Sequence, residues 1–420
     1  MRIQRTLAAA VAASALFALA VALPASAAVG DISTVAGSGS TGYSGDGGLA
    51  TLAQFESFYG MSVDGAGNVY IADGGNYVTR RVDHVTGIVT VVAGTGISGY
   101  TGDGAAATSA DIGDVTDVAV NAAGDLYIAD ESNSVIRRVD HATGIITTVA
   151  GTGTAGYSGD GAAATLAEIN YPYGVSVTAA GDLYIADSTN NVIRRVDHAT
   201  GIITTVAGTG AVGYSGDGAA ATDATFDWPM DVVVDAAGDL YINDYDNNVI
   251  RRVDHSTGFV SAFAGTGAIG YTGDGAAATD ATLGSEPGYL ALDGAGNLYI
   301  PDYSNYVVRM VDHATGFIST VAGTGASGRS GDAGPALAAA LDGPWSVAVD
   351  NAGDLFIGEY DGGGVRKVSG LAVAFSLPVT PPVGLPATGA STDSLVWIAL
   401  AMLAAGAVLV TAQRRTNRVR

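Results

Sequence analysis

The chain of 420 residues has no cysteine, and its 18 lysines and arginines are outnumbered by 41 aspartates and glutamates. The missing cysteine excludes a disulfide framework, a thiolate metal site and a cysteine nucleophile. The shortage of bases leaves a formal net charge of −23 and argues against nucleic acid as a partner, because phosphate neutralisation needs clustered Lys and Arg. The 61 glycines follow no strict three-residue period, which excludes collagen, and a content of 48% hydrophobic residues argues against disorder. A folded, glycine-rich, acidic protein remains.

Residues 1–28 have the form of a secretory signal. Arg2 and Arg5 precede an apolar stretch from Leu7 to Leu23, followed by Pro24 and the small-residue site Ala25-Ser26-Ala27. Near the other end Leu385-Pro386-Ala387-Thr388-Gly389 precedes a segment, residues 390–420, that holds an apolar run from Leu395 to Ala412 and a tail with Arg414, Arg415, Arg418 and Arg420. A run of 18 residues is long enough to cross a bilayer as a transmembrane helix, with the arginines on the cytoplasmic side. Pentapeptide, apolar run and basic tail, in this order, resemble the LPXTG cell-wall sorting signal of Gram-positive surface proteins. The resemblance implies that Leu385, Pro386, Thr388 and Gly389 are recognised by a sortase, which cuts after Thr388 and joins the new carboxyl group to peptidoglycan. Membrane insertion of the helix would be transient, and the mature protein would be secreted and held at the cell wall or surface of a Gram-positive bacterium. Residues 370–384, with Pro378, Pro381 and Pro382, form a linker reaching roughly 45 Å even as polyproline II, so the folded part would stay near its attachment. Residues 28–388 alone carry 12 bases against 40 acids, a net charge of −28.

The middle, residues 29–369, is one unit written six times. The histidines at 84, 141, 198, 255 and 313 recur every 57 or 58 residues, as does Tyr43-Ser44-Gly45-Asp46-Gly47, which returns from Tyr100, Tyr157, Tyr214 and Tyr271 and, altered, from Arg329. Within one copy, Gly174–Val177, Asp182–Ala186, Val192–Val196 and Ile202–Val206 carry β-branched and aromatic residues separated by Gly- and Asn-bearing turns, and therefore read as four strands. Four strands per unit in a six-fold repeat predict an all-β, six-bladed β-propeller. The phase predicts its closure: the chain starts on a fourth-strand sequence, Asp31–Ala36, and the last copy stops after its third, so the N-terminal strand should complete the sixth blade.

The stretch Asp235-Ala-Ala-Gly-Asp-Leu-Tyr-Ile-Asn-Asp-Tyr-Asp-Asn-Asn-Val-Ile-Arg251 is similar to NHL repeats, and the added Gly-Tyr-Ser-Gly-Asp-Gly loop resembles the longer variant of teneurin-type propellers. The resemblance spans residues 31–369 and implies a binding scaffold, with a minority of lyase-like enzymes among related rings. Fold alone does not settle which.

Several motifs invite chemistry. Gly-x-Gly-x-x-Gly follows a strand in every copy, but no helix follows it as a dinucleotide site requires, so turn geometry is expected. Each Ser-Gly-Asp-Gly loop offers one carboxylate, at Asp46, Asp103, Asp160, Asp217, Asp274 or Asp332; an Asx-type turn is expected, with calcium as the alternative. No other metal or cofactor is expected. The histidines lie in Asp-His-x-Thr-Gly turns, one per blade, too dispersed for one metal. One Arg of each pair at 80/81, 137/138, 194/195 and 251/252 should bond an acidic turn between blades.

The copies diverge just before each first strand, where residues should ring the mouth of the central channel. The candidate ligand-binding set there is Tyr59, Asp114, Tyr171, Tyr173, Asp227, Trp228, Asp231, Glu286, Tyr289 and Trp345, extended by Tyr245, Tyr303 and Tyr360 in neighbouring turns. Aromatic rings give contact area and carboxylates direct hydrogen bonds. The expected function is non-enzymatic binding or adhesion to a protein or glycan by a monomeric ring, with no catalytic residue assigned. The alternatives are a lyase or hydrolase using the mouth carboxylates and a structural wall protein.

Overall fold

The computed structural model describes residues 30–371. The signal segment, nearly all of the linker, the sortase motif and the apolar segment with its basic tail lie outside the described residues. Among those described, no helix is long and apolar enough to cross a membrane.

Six antiparallel sheets follow one another along the chain, and each forms a blade. In blade 3 the strands are Pro172–Val177, Leu183–Asp187, Val192–Val196 and Ile203–Ala207. The first begins two residues earlier than its sequence suggests, because Pro172 pairs with Asp187 across an irregularity in the ladder. The turn after it closes at Gly181, whose φ of 93° is a left-handed value that a residue with a Cβ rarely adopts. Helical structure in the blades and loops is limited to single 3-10 turns, such as Ala164–Leu166 in the long loop. Blade 5 departs most from the pattern: its inner strand is only Ala291–Leu292, and Tyr289 instead bridges Ser346 of blade 6.

The ring closes as the phase predicts. Asp31–Ala36 pairs with Gly364–Val368, the third strand of blade 6, and so supplies that blade's outermost full strand. At the seam the Gly30 amide donates to the Ser369 carbonyl at 2.7 Å.

Apolar burial explains why no blade stands alone. The core divides into six clusters, and each joins two neighbouring blades. Tyr70 and Ala72 of blade 1 pack with Ile112 of the intervening loop and with Val118, Leu126 and Ile128 of blade 2. The seam between blades 6 and 1 is filled likewise by Ala36, Phe58, Ile71 and Phe356.

A second layer is ionic. Arg80, Arg137, Arg194, Arg251, Arg309 and Arg366, one per blade, are among the largest fully buried side chains. Arg194 donates to Asp160 of the long loop at 2.7 Å, to Asp187 at 3.2 Å and to the Ser158 carbonyl at 3.0 Å, and the Tyr157 ring covers it. The loop carboxylates therefore do not form the expected Asx turns: Asp103 is taken by Arg137 and by the Thr148 amide of the outer strand. Asx turns occur elsewhere, where Asp64 and Asp235 accept from amides two and four residues on, between first and second strands. The second residue of each pair stays near the surface, as Arg195 does between Asp182 and Asp197.

Candidate functional site

The acid at the end of each second strand positions the segment that leads into the next inner strand. Asp187 accepts the Asn170 amide, Asp244 the Asp227 amide and Glu359 the Asp342 amide, at 2.8, 2.8 and 3.1 Å. Burial pushes Asp73, Asp130 and Asp244 up to about 7, against the opposing pull of their amide partners and arginines. Bonds between blades then set the strand entrances: Thr116 donates to the Tyr173 carbonyl at 2.9 Å, Ser188 to that of Pro229 at 2.8 Å, and Asn243 to that of Pro287 at 2.7 Å.

On this frame the structure gathers the divergent aromatic residues. Trp345 stacks edge-on against Tyr303 at 5.2 Å and Tyr245 at 6.4 Å, and tilted against Tyr360 at 5.8 Å; Tyr360 in turn meets Tyr59 at 5.5 Å. Tyr173 and Trp228 form a second edge-on pair at 5.8 Å. Trp228 and Tyr171 hold left-handed φ values of 52° and 55°, unusual for large side chains, and the Trp228 amide is held by Asn191 at 3.0 Å. Tyr171 is 44% exposed.

Acids surround the rings. Burial raises the hydroxyl of Tyr173 to about 12, helped by Glu131 and Asp114, and burial raises Tyr245 as well, helped by Glu286 and Asp246. Glu131 itself is raised to about 7 by burial and by Asp114. Asp227 acts on its neighbours Asp244 and Asp246.

Two of the expected mouth residues lie deeper. Asp231 and Tyr289 are 2% and 3% exposed and line the channel itself, a cavity of about 260 Å³ walled by inner strands. Asp231 has a counterpart that the divergence pattern missed: Asp117, also in the channel wall. The two occupy equivalent positions of blades 4 and 2, where blades 3 and 1 have Gly174 and Gly60. Asp117 accepts the Val175 amide at 2.9 Å; Asp231 accepts the Val232 and Leu290 amides, both at 2.7 Å. Burial raises both carboxyls, Asp231 to about 6, and the charge of Asp231 raises Asp117 further. The hydroxyl of Tyr289, the indole Nε1 of Trp345 and the hydroxyl of Ser346 are buried without a hydrogen-bond partner. The clue available in the sequence was the alternation of Gly and Asp at one inner-strand position.

The remaining motifs take structural positions. Each histidine sits in a turn between third and fourth strands, with its ring over the turn glycine of the first and second strands, as His198 does over Gly181. Among the described residues, no group of three or more His, Asp or Glu side chains converges to hold a metal ion.

Residues 152–213 match the teneurin NHL domain family. The chain is 30% identical over 273 residues to the Arabidopsis thaliana protein SUPPRESSOR OF QUENCHING 1, chloroplastic, covering 62% of this chain and 25% of that protein. It is 30% identical over 237 residues to teneurin-1 of Mus musculus, covering 51% and 8%. The chain thus spans a quarter or less of the length of these relatives. Among solved structures, a protein of unknown function from Bacteroides thetaiotaomicron superposes with a TM-score of 0.60 at 20% identity, covering 81% of this chain and 75% of that one. An auxiliary nutrient binding protein from Bacteroides ovatus gives 0.58 at 19%, covering 81% and 76%. The ring is a six-bladed β-propeller, and part of its third and fourth blades is similar to the NHL repeats of teneurins.

Proposed function

We propose that the protein is a binding or adhesion propeller that grips a protein or glycan through the aromatic mouth of its channel. The observation that carries this reading is the contact cluster of Trp345, Tyr303, Tyr360 and Tyr59. Clustered aromatic side chains are costly to leave half-solvated, and they recur where one molecule grips another. The left-handed Trp228 and Tyr171 add to it, since backbone strain concentrates at ligand sites. The description of a structural neighbour as a nutrient binding protein agrees with this use of the ring. Trp228→Ala and Trp345→Ala should each weaken retention on a panel of wall glycans, matrix proteins and secreted proteins at least about tenfold, as loss of a hot-spot residue does. Unchanged retention would remove the binding face.

The sorting-signal resemblance supports secretion and attachment to peptidoglycan by a sortase, as a monomer. Incubation with sortase and a glycine nucleophile tests it: a product cut after Thr388 is expected, and an uncut chain speaks against wall anchoring.

One observation favours a second reading. Asp117 and Asp231 both line the channel, and burial raises both carboxyls, which suits a general acid and base of a lyase or hydrolase. Turnover of a glycan panel that disappears in Asp231→Asn would establish it.

A further inference from the structure

We infer that the top of the channel takes up an alkylammonium group, so that the ligand gripped by the mouth is a peptide presenting a lysine side chain; this rests on the binding reading above. The first argument is an absent counter-charge. Five of the six acids at the ends of the second strands, Asp73, Asp187, Asp244, Asp302 and Glu359, are paired with guanidinium groups, as Asp187 is with Arg194 at 3.2 Å and Glu359 with Arg329 at 2.9 Å. Asp117 and Asp231 are as deeply buried, yet their hydrogen-bond partners are backbone amides, and no Lys or Arg lines the channel with them. A buried carboxylate without a cation is costly, and a cation brought in by a ligand removes that cost.

The second argument is the unpartnered phenol. Tyr289 is 3% exposed, its hydroxyl has no hydrogen-bond partner, and the groups acting on it include Asp117 and Asp231 of the channel and Tyr173 and Tyr59 of the mouth. It lines the channel together with the acid pair, its amide donates to the Trp345 carbonyl of the aromatic cluster at 2.8 Å, and its hydroxyl oxygen is free to accept an N–H.

Shape and charge select the occupant. The electron-rich faces of the rings attract a cation, and the acids around them steer it inward. The cavity of about 260 Å³ is walled by Met61, Val118, Val175, Leu290 and Val347. Together with Asp117 and Asp231 in the same wall, these side chains suit a straight methylene stem carrying a charged tip.

Calorimetry on the full chain tests this with a lysine-bearing pentapeptide, the same peptide acetylated on Nε, and a glucosamine oligomer. The lysine peptide should bind, and acetylation should weaken it about ten- to a hundredfold, the loss expected for one hydrogen bond to a charged group. Asp117→Asn, Asp231→Asn and Tyr289→Phe should each weaken the lysine peptide while unfolding stays cooperative. Because an ammonium group holds the pair ionised, binding near pH 6 should release protons, seen as a heat that changes with the buffer. The titratable groups facing the pair are one another, Tyr289 and, through it, Tyr173 and Tyr59. Equal binding of the two peptides, or unchanged affinity in the three variants, overturns the inference. Preference for the glucosamine oligomer overturns the peptide occupant. Retention of a neutral ligand that depends on Trp228 and Trp345 but not on Asp231 overturns the ammonium site and leaves the binding mouth standing. Loss of dependence on either tryptophan for every ligand overturns the mouth as well.

Discussion

Gly60 and Asp117 share one volume: a methyl group on Gly60 would overlap the Asp117 carboxylate of the next blade. Gly174 and Asp231 repeat the relation, with a Cβ on the glycine only 2.5 Å from Oδ1. Gly60→Ala should therefore cost about 1–3 kcal/mol, the usual range for overpacking a closed site. Asp117→Gly in the same chain should recover part of the loss, because residues in contact are not additive. Urea unfolding of the two single variants and the double variant measures the coupling; simple addition would mean that the two positions are independent.

The buried arginines should dominate the ionic contribution to stability. Arg137→Met removes a fully buried guanidinium that bonds Asp103 and the Asp111 and Thr101 carbonyls, leaves those acceptors unpaired and should cost about 3–5 kcal/mol, as for breaking a buried pair. Arg138→Met, in the adjacent position, removes a guanidinium that is 34% exposed beside Asp125 and Asp140 and should cost no more than about 1 kcal/mol. Thermal unfolding of both variants gives the comparison, and equal losses would contradict it.

The acid pair should leave a mark on the pH dependence of stability. Folding raises Asp231 from an ordinary carboxylate value to about 6 and raises Asp117 as well, so the folded state binds more protons than the unfolded one above about pH 4. Their protonation thus favours the fold below pH 4, and that advantage is lost as pH rises through about 6. The acids beside the buried arginines shift in the same direction, with Asp73 and Glu359 at about 7. The melting temperature should accordingly be higher at pH 5 than at pH 8. Asp117→Asn should flatten part of that slope, and a slope as steep as in the unaltered chain would show that the pair does not titrate there.

Closure by Asp31–Ala36 should be the weakest seam under exchange. Deleting these residues removes buried Ile32 and Ala36 and frees one edge of Gly364–Val368. Amide exchange should accelerate first in residues 364–368 and spread to blade 1 through the shared core. Unchanged protection there would mean that the ring holds without its closing strand.

Blade number, strand order and closure were legible because each depends on local information repeated six times: β-branched runs, turn glycines and the phase at the two ends. The loop acids misled for a related reason. An Asx turn is a bond two residues away, which a sequence can suggest, whereas Arg137 reaches Asp103 across 34 residues. The mouth aromatics stood out as departures from the repeat. Asp117 did not, because its meaning depends on Gly60 in another blade and on Asp231 two blades on. Only ring closure brings those residues to one channel.

The seam at Gly30 and Ser369 also has a mechanical side. Chain entry and exit leave the ring side by side on paired antiparallel strands, so tension between those two points would unzip the ladder one bond at a time. Load applied at the mouth and borne through Gly364–Val368 meets a strand bonded along both edges, to Asp31–Ala36 and to Leu355–Glu359. The ring is thus built to yield between its own ends sooner than under pull from something it holds.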